Sequence, residues 1–204
     1  MTYTLYFTPG ACSLAPHIVL REAGATFDLV QVDLRTHTTK DGKDFYGINP
    51  KGYTPALGLP NGELLTEGPA ITQYVVDSVG ATSLAPKAGT LERARVNEWL
   101  TFIGTEIHKT FSPLFNPATD DATKKQVKDK LAGRYGLVEK ALADGRSYLT
   151  GESFTIADAY LFTVTNWSGN LGVDLSAFPK LNAYQARVLA RPHTHAAMKA
   201  EGLI

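Results

Sequence analysis

From residue 1 to about residue 80 the chain alternates between strand-type and helix-type segments, and beyond about residue 90 only helix-type segments follow. That change of period restricts the chain to a mixed α/β unit followed by an all-helical one. Tyr3-Thr4-Leu5-Tyr6-Phe7 is aromatic and β-branched enough to form a strand. Leu14, Ala15, Ile18, Val19 and Ala23 then recur at helical spacing, with Gly24 as the stop. Phe27 to Val32 reads as a second strand, parallel to the first because a helix joins them. A short helix is expected around Lys43 to Ile48. Pro55–Leu59 and Glu63–Thr66 flank Asn61-Gly62, a two-residue hairpin signal. Ala70, Ile71, Tyr74 and Val75 mark a helix that opens near Gly68-Pro69, where proline suits the first turn.

The expected order over residues 1–80 is therefore β-α-β-α-β-β-α, with residues 81–89 as a linker and 90–204 as an all-helical domain. In that second part Val96, Trp99, Leu100, Ile103 and Ile107 form one apolar stripe, and Val127, Leu131, Val138 and Leu142 form another. Thr155-Ile156-Ala157-Asp158 is a capping box, preceded by Phe154 as a hydrophobic staple. The helix it starts is apolar on nearly every face through Val164 and is expected at the centre of the domain. Pro179 and Pro192 each open a further helix.

Twenty basic and twenty acidic residues balance, with a pI near 7.0, so charge offers no case for nucleic acid or an anionic membrane as partner. No apolar run approaches the ~20 residues that span a bilayer, and no signal-peptide pattern is visible near Met1. Cys12 is the single cysteine. A disulfide framework is thereby excluded and a reducing, cytoplasmic setting is expected. Cys12 lies in Thr8-Pro9-Gly10-Ala11-Cys12-Ser13-Leu14, at a strand-to-helix junction, where the helix dipole favours thiolate over thiol. With no resolving cysteine, any redox chemistry there needs a thiol from another molecule. The competing reading of a lone cysteine is a small buried hydrophobe.

The element order is the thioredoxin-like arrangement, and with an all-helical domain after it the chain resembles the glutathione S-transferases. The resemblance tightens to the bacterial beta class at Pro9-Gly10-Ala11-Cys12-Ser13-Leu14, Asn49 to Leu57 and Leu65-Thr66-Glu67-Gly68. It continues at Thr105-Glu106-Ile107-His108-Lys109, Phe154 to Phe162 and the closing Ala200-Glu201-Gly202-Leu203, and so covers essentially the whole chain.

The resemblance implies glutathione as cosubstrate, no metal, and a homodimer. It implies a cis Thr54-Pro55 bond whose preceding residue pairs with the cysteinyl part of glutathione. It gives Glu67 the α-ammonium and Gly68, at the start of a helix, the γ-glutamyl carboxylate; many relatives carry serine at Gly68. His108 is implied to hydrogen-bond the sulfur, as proton acceptor or donor. Thr101, Thr105 and His108 fall four and three apart and so share one helix face. Thr101 stands where relatives often have asparagine, and Glu106 is implied as a further contact, reaching a neighbouring subunit's ligand. His37 stands where relatives often place a lysine near the glycine end of glutathione, and Lys109 is a candidate to compensate. Phe111, Phe115 and Trp167 are inferred to line an apolar pocket.

Other polar residues carry less. Tyr6 ends the first strand near the turn, but strand tyrosines such as Tyr3 and Tyr6 mostly pack, and Phe7 departs from the tyrosine of related chains. His17 falls off the face of Cys12 and reads as structural, while His193 and His195 lack a third ligand for a metal. The expected function is conjugation of glutathione to hydrophobic electrophiles such as aryl or alkyl halides, with thiol-transfer or peroxide-reducing activity through a mixed disulfide at Cys12. A ligand-binding stress protein of the same fold, or a specialised dehalogenase, are the alternatives.

Overall fold

The computed structural model describes residues 2–204. They divide into two compact units, residues 2–87 with 190–204, and residues 88–189. In the first, β1 (Tyr3–Phe7), α1 (Leu14–Glu22), β2 (Phe27–Asp33), β3 (Thr38–Thr39), β4 (Ala56–Gly58), β5 (Leu64–Thr66) and α2 (Gly68–Ser78) follow in order. The sheet runs β3-β2-β1-β4-β5. β1 and β2 are parallel, with Leu5 opposite Leu29, and the other pairs are antiparallel. This is the thioredoxin-like domain that the sequence implied.

Tyr3, Leu5 and Phe7 alternate into the buried face of β1, and Leu14, Ile18, Val19, Ile71, Val75 and Val76 of the mutually packed α1 and α2 are buried with them. A second cluster of Val32, Phe45 and Ala56 gathers Tyr6, Leu34, Ile48 and Leu64 around it.

Two local expectations are corrected. Lys43–Ile48 forms no helix, because the Phe45 amide is held by the His37 carbonyl and the Asp44 carboxylate takes the Tyr46 amide. Turn-type side-chain bonds thereby displace the helical ladder, and Phe45 is driven fully into the core, a burial worth about 1.5–3 kcal/mol. The Asn61-Gly62 turn is not a two-residue hairpin. Leu59 and Glu63 still pair through the Leu59 amide, the Gly62 amide bonds the Leu59 carbonyl, and Gly62 has φ +88°. Pro60, Asn61 and Gly62 thus make a three-residue loop with glycine in the left-handed position.

The second unit contains α3 (Leu91–Phe102), a π-helical segment (Ile103–His108), the short α4 (Lys109–Phe111), a 3₁₀ turn (Ser112–Phe115), α5 (Asp121–Ala141), α6 (Ile156–Leu171) and α7 (Pro179–Leu189). The expected apolar stripe is buried at Val96, Leu100, Ile103 and Ile107, and α6 is buried continuously from Ile156 to Thr165. Its start is pinned by Asp158. One carboxylate oxygen accepts the Thr155 amide and hydroxyl at 2.8 Å, and the other accepts the Leu149 amide at 2.9 Å and the Tyr184 hydroxyl at 3.0 Å. Burial pushes the Asp158 pKa up, and these donors oppose that rise. Phe154 packs edge-on against Tyr148.

The last helix, α8 (Pro192–Ala200), does not belong with the helical unit, as boundaries of 90–204 had it. It packs on α1, where the Arg191 guanidinium makes two bonds of 2.7 Å to the Glu22 carboxylate. A fork-to-fork pair of this kind is among the strong hydrogen bonds.

Asp158→Ala would strand the Leu149 amide in the core, leave the Tyr184 hydroxyl only its 3.3 Å bond to the backbone carbonyl of residue 158, and remove the cap of α6. We expect it to lower the unfolding free energy by at least about 3 kcal/mol, read as a shift of the urea midpoint at unchanged slope.

Candidate functional site

In the first unit the turn after β1 carries the thiol. The Ser13 hydroxyl accepts the Thr8 amide and donates to the Thr8 carbonyl, both at 3.1 Å. The Ala11 amide bonds the Thr8 carbonyl, and Gly10 takes φ +70°. A β-carbon at Gly10 would lie 3.3 Å from the Leu203 side chain, so the C-terminal residues close directly over the turn. The buried Glu201 carboxylate accepts the Gly10 amide at 2.9 Å and His17 Nδ1–H at 2.8 Å, while His17 Nε2 accepts from Arg21 at 2.9 Å. His17 therefore holds the neutral Nδ1–H tautomer in a buried chain, in keeping with its structural reading.

Cys12 precedes α1, and its Sγ donates to the Thr54 carbonyl at 3.4 Å. Thr54 precedes a cis peptide bond to Pro55, as the resemblance implied. The residue is only half-buried, yet desolvation around the sulfur pushes its pKa up to about 11, against the backbone donors of Cys12 and Ser13 and with the nearby Glu67 carboxylate adding to the rise. The expectation of a thiolate at the helix N-terminus is thus overturned: the dipole is weaker than the dehydration of the charge.

Glu67 stands at the N-cap of α2 with φ 72° and ψ 113°. A non-glycine residue held there costs on the order of 1–3 kcal/mol, and such strain collects at functional sites. Its Oε1 accepts Lys51 Nζ at 2.7 Å and the Tyr53 hydroxyl at 3.0 Å. Lys51 and Tyr53 were not singled out from sequence, although both lie in the Asn49–Leu57 motif. A β-carbon at Gly68 would meet only Pro55 Cγ at 3.9 Å, so a side chain fits there. His37 is turned inward: Nδ1 bonds the Gly52 carbonyl at 2.8 Å and the ring lies 4.5 Å from Tyr46. Cys12, Thr54, Glu67 and Gly68 are therefore one cluster in this unit, and His37 braces its rim.

In the helical unit the residues expected on one face separate. The Thr101 and Thr105 hydroxyls turn back onto the Asn97 and Thr101 carbonyls at 2.9 and 3.0 Å. Such back-bonding is the ordinary fate of a helical threonine. Glu106 pairs with Arg134 of α5 at 2.7 Å, and Lys109 is exposed. His108 instead enters an aromatic cluster. Its ring is 4.9 Å from Trp167 and its Nδ1 is 2.6 Å from the Tyr160 hydroxyl. Trp167 is met edge-on by Phe111 at 5.5 Å and Phe115 at 5.2 Å. Tyr160 was quoted in the α6 motif but given no role. Among the described residues no group of three metal-ligating side chains is present, and no helix is long and apolar enough to cross a membrane.

A thiol on a backbone carbonyl, a carboxylate and a helix N-terminus form the complement of a small peptide that carries a thiol, an ammonium and a carboxylate. The comparisons bear on that chemistry. Residues 1–77 match the glutathione S-transferase N-terminal domain and residues 102–192 the C-terminal domain. The chain is 45% identical to glutathione S-transferase GstA of Escherichia coli O157:H7, over 98% of both.

The chain belongs to the glutathione S-transferase family.

Two solved structures extend the likeness. A sphingomonad glutathione S-transferase complexed with glutathione is 46% identical with a TM-score of 0.93. A beta-class glutathione S-transferase of Sphingomonas chungbukensis is 47% identical with a TM-score of 0.94. Each spans 98% of this chain and all of its own.

The raised thiol pKa sets an expectation for this transferase without ligand. Alkylation of Cys12 by iodoacetamide should quicken about tenfold per pH unit from 7 to 10, as thiolate forms, with its midpoint near 11. A plateau by pH 8, followed by intact-mass analysis, would contradict the desolvated setting.

Proposed function

We propose that this glutathione transferase joins glutathione to apolar, aromatic electrophiles such as activated aryl halides, displacing halide. The observation that carries the reading is the Cys12 thiol on the Thr54 carbonyl, with the Glu67 carboxylate close enough to raise its pKa. In this reading Thr54 receives the cysteinyl backbone of glutathione, Glu67 its ammonium and the start of α2 its γ-glutamyl carboxylate. Lys51 and Tyr53 fix the Glu67 side chain for that task. Cys12, protonated at neutral pH, serves the glutathione sulfur as a hydrogen-bond donor and so stabilises its thiolate. His108 is the proposed acid or base of the helical unit, and Phe111, Phe115 and Trp167 beside it offer ring contacts to an aromatic electrophile.

Thiol transfer through a Cys12–glutathione disulfide is the secondary activity. A thiol of pKa about 11 attacks slowly at pH 7, so conjugation should dominate there. A homodimer in the cytoplasm is the setting we propose for it, with Glu106 and Thr105 as further ligand contacts.

The test uses purified protein, glutathione and an activated aryl chloride, with titration calorimetry alongside. We expect saturable glutathione uptake and conjugation in which Cys12→Ala loses at least tenfold in kcat. Glutathione uptake without turnover of any halide would leave a binding protein, and no uptake at all would remove the reading. Gly68→Ser offers a sharper check on the ligand's orientation. The added hydroxyl at the first residue of α2 should tighten glutathione about two- to tenfold, as one hydrogen bond to a carboxylate allows. An unchanged Kd would place that carboxylate elsewhere.

A further inference from the structure

The outer edge of the sheet in the first unit is only partly covered. β3 pairs with β2 at Val32 and Asp33, and one further bond joins the Lys40 amide to the Gln31 carbonyl at 2.9 Å. Before Gln31, no strand among the described residues lies outside β2. Val32 is the one fully buried residue of that strand, so Leu29 and Val30 keep part of their apolar surface open. A cleft of about 470 Å³ lies at this place. Half-buried Tyr6, Leu29, Val30 and Ile48 give it apolar walls, while Gln31, Lys40, Asp41 and Lys43 give it polar ones. Cys12, Thr54, Glu67 and Gly68 do not line it.

The charge at its rim is unbalanced. Asp41 is matched by Lys43 at 2.9 Å, and Asp33, on the adjoining smaller hollow, is matched by Arg35 at 3.1 Å. The exposed Lys40 ammonium meets no carboxylate among the described residues. The backbone that carries it is nevertheless ordered. The Gly42 amide bonds the Thr39 carbonyl at 2.8 Å, the Thr39 amide the Lys43 carbonyl at 2.9 Å, and the Lys43 amide the Thr39 hydroxyl at 3.0 Å. A ligand arriving there has little loop to order, which lowers the entropic cost of binding. A concavity of several hundred Å³ with apolar walls and a few polar groups is the ordinary form of a small-molecule site. Its walls select an apolar body, and the unmatched cation selects an anion. A lysine on an open edge also deters other strands from pairing, but that duty requires no cleft beside it.

We propose that this cleft is a second ligand site, separate from the thiol cluster, which takes a small aromatic carboxylate with its ring against Tyr6, Leu29, Val30 and Ile48 and its carboxylate on the Lys40 ammonium. Binding is non-covalent. It lies within the first unit and does not depend on the function proposed above.

The experiment is a calorimetric titration of the full chain with 2-naphthoate at low salt, with and without glutathione. We expect saturable binding whose Kd is the same within about twofold in both conditions. Lys40→Glu, at an exposed position, should weaken it about fivefold or more, as removal and reversal of one partly exposed charge allows. The same reversal at the exposed Lys180 of the helical unit should leave the Kd unchanged, and uncharged 2-naphthylmethanol should bind more weakly and ignore Lys40→Glu. Absence of saturable binding overturns the proposal and leaves Lys40 as a guard of the sheet edge. Displacement of 2-naphthoate by glutathione overturns it too, by moving the ligand to the thiol cluster. Equal effects of Lys40→Glu and Lys180→Glu would reduce the attraction to overall charge and likewise overturn it. Failure of the proposed conjugation would appear separately, as absence of turnover in a protein that still binds 2-naphthoate through Lys40.

Discussion

The thiol half of the molecule depends on one buried carboxylate. Glu201 is 191 positions from Gly10 in sequence, yet its two oxygens hold the Gly10 amide and His17 Nδ1–H, with Arg21 behind the histidine. Burying such a charge costs several kcal/mol, and the bonds offset that cost only together; loss of one partner from a buried pair is worth about 3–5 kcal/mol. The carboxylate therefore requires residues 190–204 to return to the first unit. It also fixes the turn between β1 and α1 from behind, while Ser13 fixes it from the strand side. Cys12 projects from a turn anchored twice, and a reactive group held on supported backbone needs little reorganisation when a ligand arrives.

That rigidity has an electrostatic consequence. A helix N-terminus contributes about 0.3–1 kcal/mol toward an anion, less than the 1.4 kcal/mol that one pKa unit represents. It cannot offset a rise from 9.0 to about 11. The same packing that places the sulfur dehydrates it, and Glu67 adds a like charge nearby. A thiol kept protonated has one useful property for a sulfur ligand: it donates a hydrogen bond without competing as a nucleophile. Reading Cys12 by position alone weighs the dipole and misses the dehydration of the sulfur.

What was legible in the sequence is what local patterns determine. β1, α1, the parallel β2, the Pro69 start of α2 and the capping box at Asp158 all follow from period, propensity and caps within a few residues. The departures arise where a distant partner decides. Lys43–Ile48 turns because His37 takes the Phe45 amide. α8 joins the first unit because Glu22 and His17 wait there for Arg191 and Glu201. Thr101 and Thr105 lie on an exposed face but spend their hydroxyls on their own helix. Tyr53 on Glu67 and Tyr160 on His108 are pairings of residues 14 and 52 positions apart, for which no periodic signal exists.

The two units differ in how much their functional residues are fixed, and that difference bears on where substrate preference resides. Around Cys12 nearly every contact is a hydrogen bond to backbone or to a buried charge, so a substitution there disturbs folding together with chemistry. In the helical unit only part of the cluster is tied down. Tyr160, Phe111 and Trp167 are buried, whereas Phe115 is 54% exposed and meets Trp167 ring to ring. Exposed apolar contacts of that kind are exchanged at little cost to stability. On the function proposed above, a transferase built in this way changes its electrophile through positions such as Phe115 while the thiol half stays as it is. Selection for a new substrate should therefore act on the 3₁₀ turn at Ser112–Phe115 before it reaches the sheet.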